Sequence, residues 1–144
     1  MIVPDVNVLI NAFHTEAPRH DEARIWLTNA LAGRESLGLL DVVVTGFIRI
    51  MTHPRVLKKP LTSNEAVEAI NTVMQSPNTV LIHGSGLSWQ IFSELVSLHK
   101  LSAADIPDAW IAATVIAEEA ILVSDDRGFA RFRDLHWRTV ESGG

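Results

Sequence analysis

The sequence contains no cysteine among its 144 residues. Disulfide bonds, thiolate metal sites and cysteine nucleophiles are therefore excluded. It also lacks an apolar run of the roughly 20 residues that a membrane-spanning helix requires. Residues 1–5 carry no basic segment of the kind that opens a secretory signal. From these absences we expect a cytoplasmic protein with no membrane partner.

The sequence also has fewer basic than acidic residues. Lys and Arg number 12 against 17 Asp and Glu, which gives a formal net charge of −5. A protein that binds nucleic acid by neutralising phosphates with lysine is usually basic, so the composition counts against that mode of binding. It does not count against an enzyme that holds metal ions with carboxylates, because the metal then supplies the positive charge.

Short apolar segments alternate with helical patterns along the chain. The pattern predicts strands at residues 2–6, 37–40, 79–82, 121–124 and 136–140. It predicts helices from near residue 7, at 20–32, through 47–51, and at 62–74, 87–99 and 106–119. This order indicates an α/β fold in three layers, with a parallel sheet of four or five strands flanked by helices. We expect one domain over residues 1–140 and a short C-terminal tail at 141–144.

Three aspartates fall where strands are predicted to end. Asp5 lies near the end of the first strand, Asp126 follows strand 121–124, and Asp108 lies in the first turn of the preceding helix. Ligand sites in such folds lie at the carboxyl ends of the strands, so the three carboxylates can converge there. Carboxylates without histidine or cysteine partners suit Mg²⁺ or Mn²⁺, which can activate a water and neutralise a phosphodiester.

Each aspartate also has a purely structural interpretation. Asp5 can cap the helix that follows it, and Asp126 lies in a polar turn that contains glycine. Asp105 and Asp108 are three residues apart and share a helix face. Asp105 can be the N-cap of that helix with Asp108 as its capping-box partner, and Ser102 offers an alternative cap. We assign capping to Asp105 and metal ligation to Asp108.

Four motifs occur along the chain in a fixed order. They are DVNVLINA at residues 5–12, GFIRIMTHPRV at 46–56, PDAWIAA at 107–113 and LVSDDRGF at 122–129. Together they resemble the motifs of PIN-domain ribonucleases, and among them the VapC-type toxins of bacterial toxin–antitoxin pairs. The resemblance implies a PIN-like fold and Mg²⁺- or Mn²⁺-dependent endonucleolytic cleavage of cellular RNA, tRNA or rRNA, to inhibit translation and growth. It also implies a homodimer and inhibition by a cognate VapB-like antitoxin.

The resemblance also implies roles for individual residues. Carried over by position, Asp5, Asp108 and Asp126 match the family's metal-binding acids. Asn7 and Ser124 match its supporting polar positions. Asp125 falls at a variable position of the motif and is left out of the metal site.

One position departs from the family pattern. The family usually has a glutamate just before or within the helix of the second motif, where this chain has Val44 or Thr45. The nearest acid is Asp41, one helical turn before Val44, and it can replace the glutamate through a water molecule. We favour the simpler interpretation, a helix N-cap. The missing glutamate leaves a catalytically degenerate PIN fold that binds RNA or protein as the alternative function.

Two other enzyme classes place aspartates at strand ends. A phosphatase of the haloacid dehalogenase type needs a second aspartate two residues after its nucleophile, where this chain has Asn7. A phospho-receiver domain needs an aspartate after a central strand, and none occurs between Asp41 and Asp105. Neither pattern fits this sequence.

Two basic stretches accompany the acidic motifs. A solvated surface is the usual interpretation of such stretches, and contact with RNA phosphates is the functional one. The residues concerned are Arg49, His53, Arg55, Lys58 and Lys59 in the first stretch, and Arg127, Arg131 and Arg133 in the second.

Overall fold

A computed structural model describes residues 1–141 and contains one parallel sheet. Its strands are β1 (Ile2–Pro4), β2 (Leu37–Leu40), β3 (Thr79–Ile82), β4 (Ile121–Val123) and β5 (Trp137–Arg138). The order across the sheet is β3-β2-β1-β4-β5, and every pairing is parallel. The predicted α/β fold with a parallel sheet is confirmed, although the last strand is shorter than the predicted 136–140.

Six helices connect and cover the strands. They are α1 (Val6–Phe13), α2 (His20–Ala32), α3 (Asp41–Met51), α4 (Ser63–Met74), α5 (Gly86–His99) and α6 (Asp105–Ala117), and a 3₁₀ turn follows at Arg127–Arg131. None of the helices in residues 1–141 has the length and apolar character needed to cross a bilayer. Of the predicted C-terminal tail, residues 142–144 lie outside the described part of the chain.

The central strands are buried along their whole length. Every residue of β1 and β2 is buried, which is the pattern of a parallel strand covered on both faces. Phe47, Phe129 and Phe132 are the largest fully buried side chains, and burial of each contributes roughly 1.5–3 kcal/mol relative to an exposed position. Phe129 and Phe132 belong to the segment after β4, so packing of the core fixes the turn that carries Asp126.

The topology determines where a ligand site can form. The chain passes from β1 outward through β2 to β3, and then returns to place β4 on the other side of β1. Strands β2 and β3 therefore lie on one side of β1, and β4 and β5 lie on the other side. In open parallel sheets the crevice at the carboxyl end of such a switch point is the usual ligand site.

The apolar run of residues 37–44 is divided at its single polar residue. Leu37–Leu40 forms β2, and α3 begins at Asp41. Leu40 is the N-cap residue, so the predicted N-cap position of Asp41 is wrong by one residue. Asp41 still stabilises the helix start, because its Oδ1 accepts a hydrogen bond from the Val42 N–H at 2.8 Å.

Candidate active site

Asp5 connects the central strand to the first helix. Its backbone N–H donates to the carbonyl of Val123 in neighbouring β4 at 2.9 Å, and its side chain is only 4% exposed. Oδ1 accepts the Val6 N–H at 2.7 Å, so Asp5 does cap α1. Oδ2 accepts from Ser124 Oγ at 2.7 Å and from Asn7 Nδ2 at 3.2 Å. Capping therefore uses one carboxylate oxygen and leaves the other at the strand end.

Ser124 joins the ends of β1 and β4. It is fully buried, and while its hydroxyl donates to Asp5 it accepts the Asp126 N–H at 3.0 Å and Asn7 Nδ2 at 3.3 Å. A hydroxyl suits this position because it is both a donor and an acceptor. Ser124 thus fixes the orientation of the Asp5 carboxylate and the start of the turn that follows β4.

Asp126 lies on that turn, at the N-cap of the 3₁₀ segment. Its Oδ1 accepts the Gly128 N–H at 2.8 Å, so the predicted polar turn is present. A Cβ added to Gly128 would lie 3.0 Å from Asp126 Oδ1 and 3.4 Å from Arg131 Nη1. Glycine at this position therefore lets the Asp126 carboxylate and the Arg131 guanidinium face the same small space.

The first turn of α6 carries the third carboxylate. Asp105 and Asp108 share a face as predicted, and Arg131 Nη2 lies 3.6 Å from Asp105 Oδ1 and 3.5 Å from Asp108 Oδ2. The prediction that Asp105 caps α6 is wrong, and the alternative cap at Ser102 is absent too. The N-cap is Ala104, which has no side-chain cap bond, and the Asp105 carboxylate is engaged by the ion pair instead.

The electrostatics couple these carboxylates. Burial raises the pKa of Asp5 above its ordinary value, although hydrogen bonds from Ser124 and Val6 oppose the shift, and the negative charges of Asp126 and Asp125 raise it further. Burial also raises the pKa of Asp108. The charges of Asp5 and Asp126 add to that shift, and Arg131 opposes it. Asp5, Asp108 and Asp126 therefore form a group of carboxylates that repel one another.

The donor chemistry of this group fits a hard divalent cation, although the side chains do not form a closed shell. Within residues 1–141 no three acidic or histidine side chains are close enough to hold one metal ion. Asp108 forms an ion pair with Arg131, and the Asp126 carboxylate accepts a hydrogen bond from the Gly128 N–H in its own turn. The buried Asp5 carboxylate has no salt bridge in the described part of the chain. A cation would relieve both its desolvation and the repulsion from its neighbours.

Comparison with known proteins identifies the family. The family model of the PIN domain matches residues 2–135. Ribonuclease VapC43 of Mycobacterium tuberculosis is 36% identical over 138 residues, which cover 96% of this chain and 94% of that protein. The chain belongs to the PIN-domain family, among the VapC ribonucleases.

Solved structures of VapC proteins have the same fold. VapBC2 of Rickettsia felis, bound to a DNA fragment from its promoter, aligns with a TM-score of 0.71 at 17% identity and covers 96% of this chain and 98% of its own. VapC20 of M. tuberculosis, described as a sarcin–ricin loop cleaving toxin, aligns with a TM-score of 0.67 at 14% identity over 91% and 94%. The predicted PIN-like architecture is confirmed.

The position of the family's glutamate remains without an acid in this VapC chain. Val44 packs against the core, and Thr45 Oγ1 donates to the Asp41 carbonyl at 3.1 Å. Asp41 follows β2, the neighbour of β1, so it lies at the same edge of the sheet as Asp5. The negative charges that raise the pKa of Asp5 nevertheless come from Asp126 and Asp125. The contacts of Asp41 are those of a residue that stabilises a helix start.

Asp125, the neighbour of Asp126, faces another part of this VapC fold. Its Oδ2 lies 3.6 Å from Arg19 Nε, and its Oδ1 accepts the Val140 N–H at 3.4 Å. Arg19 also pairs with Glu22 at 2.7 Å and with Glu141 at 3.1 Å. Sequence reasoning left Asp125 out of the metal site and did not anticipate its pairing with Arg19, which is distant along the chain.

The first basic stretch lies on the surface of the VapC fold at the end of α3 and in the loop after it. Its arginines and lysines are exposed, and none of them forms a salt bridge within residues 1–141. They are Arg49, Arg55, Lys58 and Lys59. Free cationic side chains leave this surface available for phosphates. Contact with RNA through them remains a prediction.

Proposed function

We propose that this chain is a divalent-metal-dependent endoribonuclease that acts as the toxin of a toxin–antitoxin pair. The similarity to named VapC ribonucleases over nearly the whole chain carries the proposal. A nuclease of this kind needs a carboxylate site that can hold a metal ion next to a phosphodiester. The carboxylates at the switch point between β1 and β4 support this proposal.

The metal ligands in this proposal are Asp5, Asp108 and Asp126, and the ion is Mg²⁺ or Mn²⁺. These carboxylates come from the end of β1, the first turn of α6 and the turn after β4. Burial raises the pKa of Asp5 and of Asp108, the charge of Asp126 adds to both shifts, and the charge of Asp5 adds to that of Asp108. When bound, the ion supplies Lewis acidity, an activated water and neutralisation of the phosphodiester charge. The absence of histidine and cysteine among the donors favours Mg²⁺ or Mn²⁺ over zinc or copper.

The chain's own residues prepare this site. Ser124 and Asn7 donate to Asp5 Oδ2, so they hold the buried carboxylate in one orientation. The first turns of α1 and α6 place Asp5 and Asp108 at helix N-termini, where negative charge is favoured. The Asp108 side chain is 32% exposed and thus accessible to a substrate that approaches from solvent.

The proposed substrate is cellular RNA, either tRNA or rRNA. VapC20, with which this chain shares its fold, is described as cleaving the sarcin–ricin loop. In this chain the exposed Arg49 and Arg55 can bind the phosphate backbone, and selection of the cut site would come from RNA shape or unpaired bases.

The proposed partners are a VapB-like antitoxin and a second copy of the chain. The VapBC2 structure from R. felis is bound to a DNA fragment from its promoter, and a structure from Klebsiella pneumoniae with the same fold is described as a toxin–antitoxin complex. By analogy, we propose that a cognate antitoxin binds this chain and inhibits cleavage, and that residues 1–140 act as one domain within a homodimer.

A second candidate is a PIN fold that has lost catalysis and binds RNA or protein. Two observations favour it: no acid occupies positions 44 and 45, and the described side chains do not form a three-ligand shell. If it is correct, the purified protein binds RNA without cutting it at any metal concentration.

Metal-dependent cleavage distinguishes the two candidates. Purified protein is incubated with a mixture of tRNA, rRNA and a sarcin–ricin loop oligonucleotide in Mg²⁺, in Mn²⁺ and in excess EDTA. We expect cleavage with either metal and none in EDTA. Cleavage that persists in EDTA would rule out the metal mechanism, and RNA binding without cleavage would establish the degenerate fold.

A further inference from the structure

Arg131 is the one cation that contacts the proposed ligands within residues 1–141. Its Nη2 approaches Asp108 Oδ2 at 3.5 Å and Asp105 Oδ1 at 3.6 Å. Its Nη1 faces the same space beside Gly128 as Asp126 Oδ1. Arg131 thus pairs directly with Asp108, and Asp126 faces it across the space beside Gly128.

The core holds the Arg131 guanidinium where it is. Its Cζ lies 4.7 Å from the centroid of the Phe132 ring, and Phe132 is only 1% exposed. Stacking of arginine on a buried ring fixes the plane of the guanidinium. Because Phe132 follows directly in the chain and packs near Phe129, at a ring distance of 6.2 Å, the cation is part of the folded turn.

The contacts of Arg131 with the carboxylates are electrostatic and not hydrogen-bonded. Nε and Nη2 are buried without any hydrogen-bond partner, although Nη2 is near two carboxylate oxygens. An ion pair that lacks hydrogen bonds contributes little stabilisation. A small divalent ion that binds carboxylate oxygen directly gains more from Asp108 than this guanidinium does.

We propose that Arg131 is a built-in counter-ion that competes with the divalent metal for Asp108. In the metal-free protein it pairs with Asp108 and limits repulsion within the acidic group. When the metal binds, Arg131 gives up Asp108 and keeps Asp105, which explains why a second carboxylate lies on the same helix face outside the metal site. This inference rests on the proposed function, because it assumes that Asp108 is a metal ligand.

Metal affinity measures the competition directly. Mn²⁺ binding to the wild type, Arg131→Gln and Arg133→Gln is followed by calorimetry and by the electron paramagnetic resonance of free Mn²⁺. Arg133 is exposed and has no ion pair in the described residues, so its variant makes the same change in net charge outside the site. We expect Arg131→Gln to bind Mn²⁺ about tenfold more tightly and Arg133→Gln to stay within about twofold of wild type. The Mn²⁺ concentration for half-maximal RNA cleavage should fall by the same factor as the dissociation constant.

A second measurement follows the wild-type protein and uses a conservative variant only to assign one signal. The ¹H–¹⁵N signal of Arg131 Nε, assigned by its absence in Arg131→Lys, should shift during a Mg²⁺ titration with the midpoint of metal binding. The corresponding signal of Arg133 should not move. A stationary Arg131 signal during metal saturation would overturn the inference.

The outcomes separate the inference from the proposed function. Wild-type protein that binds Mn²⁺, with equal or weaker binding in Arg131→Gln, would overturn the competition and leave the metal site intact. Wild-type protein that binds no Mn²⁺, matching Asp108→Asn, would remove the metal site and the competition together. Tighter Mn²⁺ binding in Arg131→Gln, with unchanged binding in Arg133→Gln, supports the inference.

Discussion

At the scale of single residues, the site depends on side chains that use different atoms for different purposes. Asp5 caps α1 through Oδ1 and presents Oδ2 to Ser124 and Asn7. The sequence interpretations of Asp5 as a cap and as a site residue are therefore compatible. In the same way, the Ser124 hydroxyl donates to one proposed ligand and accepts from the backbone of another.

The raised pKa values predict a pH dependence of stability. Asp5 and Asp108 keep their protons in the folded chain at pH values where the unfolded chain has lost them, from 3.8 upward. In that window the folded state binds more protons, so this contribution makes the free energy of unfolding fall as pH rises. We expect Asp108→Asn to gain stability relative to wild type as pH rises from acidic to neutral. Urea unfolding of both proteins in EDTA measures the difference, and a pH-independent difference would contradict the assigned shift.

At this scale the sequence allowed three candidate acids to be selected, whose role as metal ligands stays a prediction, but not the pairing of Asp108 with Arg131. Asp5, Asp108 and Asp126 could be selected because each one lies beside a predicted strand end or helix start. The roles of Asp105 and Arg131 could not be predicted, because their ion pair joins α6 to a turn more than 20 residues away. Local rules of helix capping favoured Asp105 as an N-cap, and tertiary electrostatics overrode them.

At the scale of elements, the start of a helix was predictable where a capping-box signal marks it. Helix α4 begins as its sequence signal indicates: the Thr62 hydroxyl accepts the Glu65 N–H at 3.1 Å, and Glu65 accepts the Thr62 N–H at 2.9 Å. The run at 37–44 was ambiguous because apolar residues on both sides of Asp41 suit a buried strand and a buried helix equally. Only packing of the core decided it.

The end of α3 and the loop after it give a prediction about RNA. Replacing both Arg49 and Arg55 with Gln should weaken RNA binding and flatten its dependence on salt. With each phosphate contact that is lost, fewer counterions are released when RNA binds. The matched control is Arg24→Gln with Arg34→Gln, two exposed arginines at and just after α2 that remove the same charge. Binding isotherms at several salt concentrations give the slopes. If the two double variants show equal slopes of RNA affinity against salt, Arg49 and Arg55 belong to a solvated surface that does not contact RNA.

At the scale of the whole molecule, chain topology brings the proposed ligands together. Asp5 is near the start of the chain and Asp126 near its end, and they meet because β4 pairs directly with β1. The alternation of strands and helices predicted that the acids lie at one edge of the sheet. It could not predict which strands are neighbours, because strand order depends on how the later helices pack against the sheet. The reversal of strand order between β1 and β4 is what turns separate acids into a candidate site.

The proposed function depends on Asp108 holding a metal ion that RNA cleavage requires. The decisive measurement is the rate of RNA cleavage at saturating Mn²⁺ by wild type, Asp108→Asn and Asp134→Asn. Asp134 is an exposed aspartate with no ion pair in the described residues, so its variant controls for loss of one negative charge. Circular dichroism in EDTA should show that all three proteins are folded, since asparagine keeps the shape of the side chain and relieves repulsion among the acids. We expect the rate to fall by orders of magnitude in Asp108→Asn and to stay at the wild-type value in Asp134→Asn. Cleavage at the wild-type rate by folded Asp108→Asn would contradict a metal-binding role for Asp108.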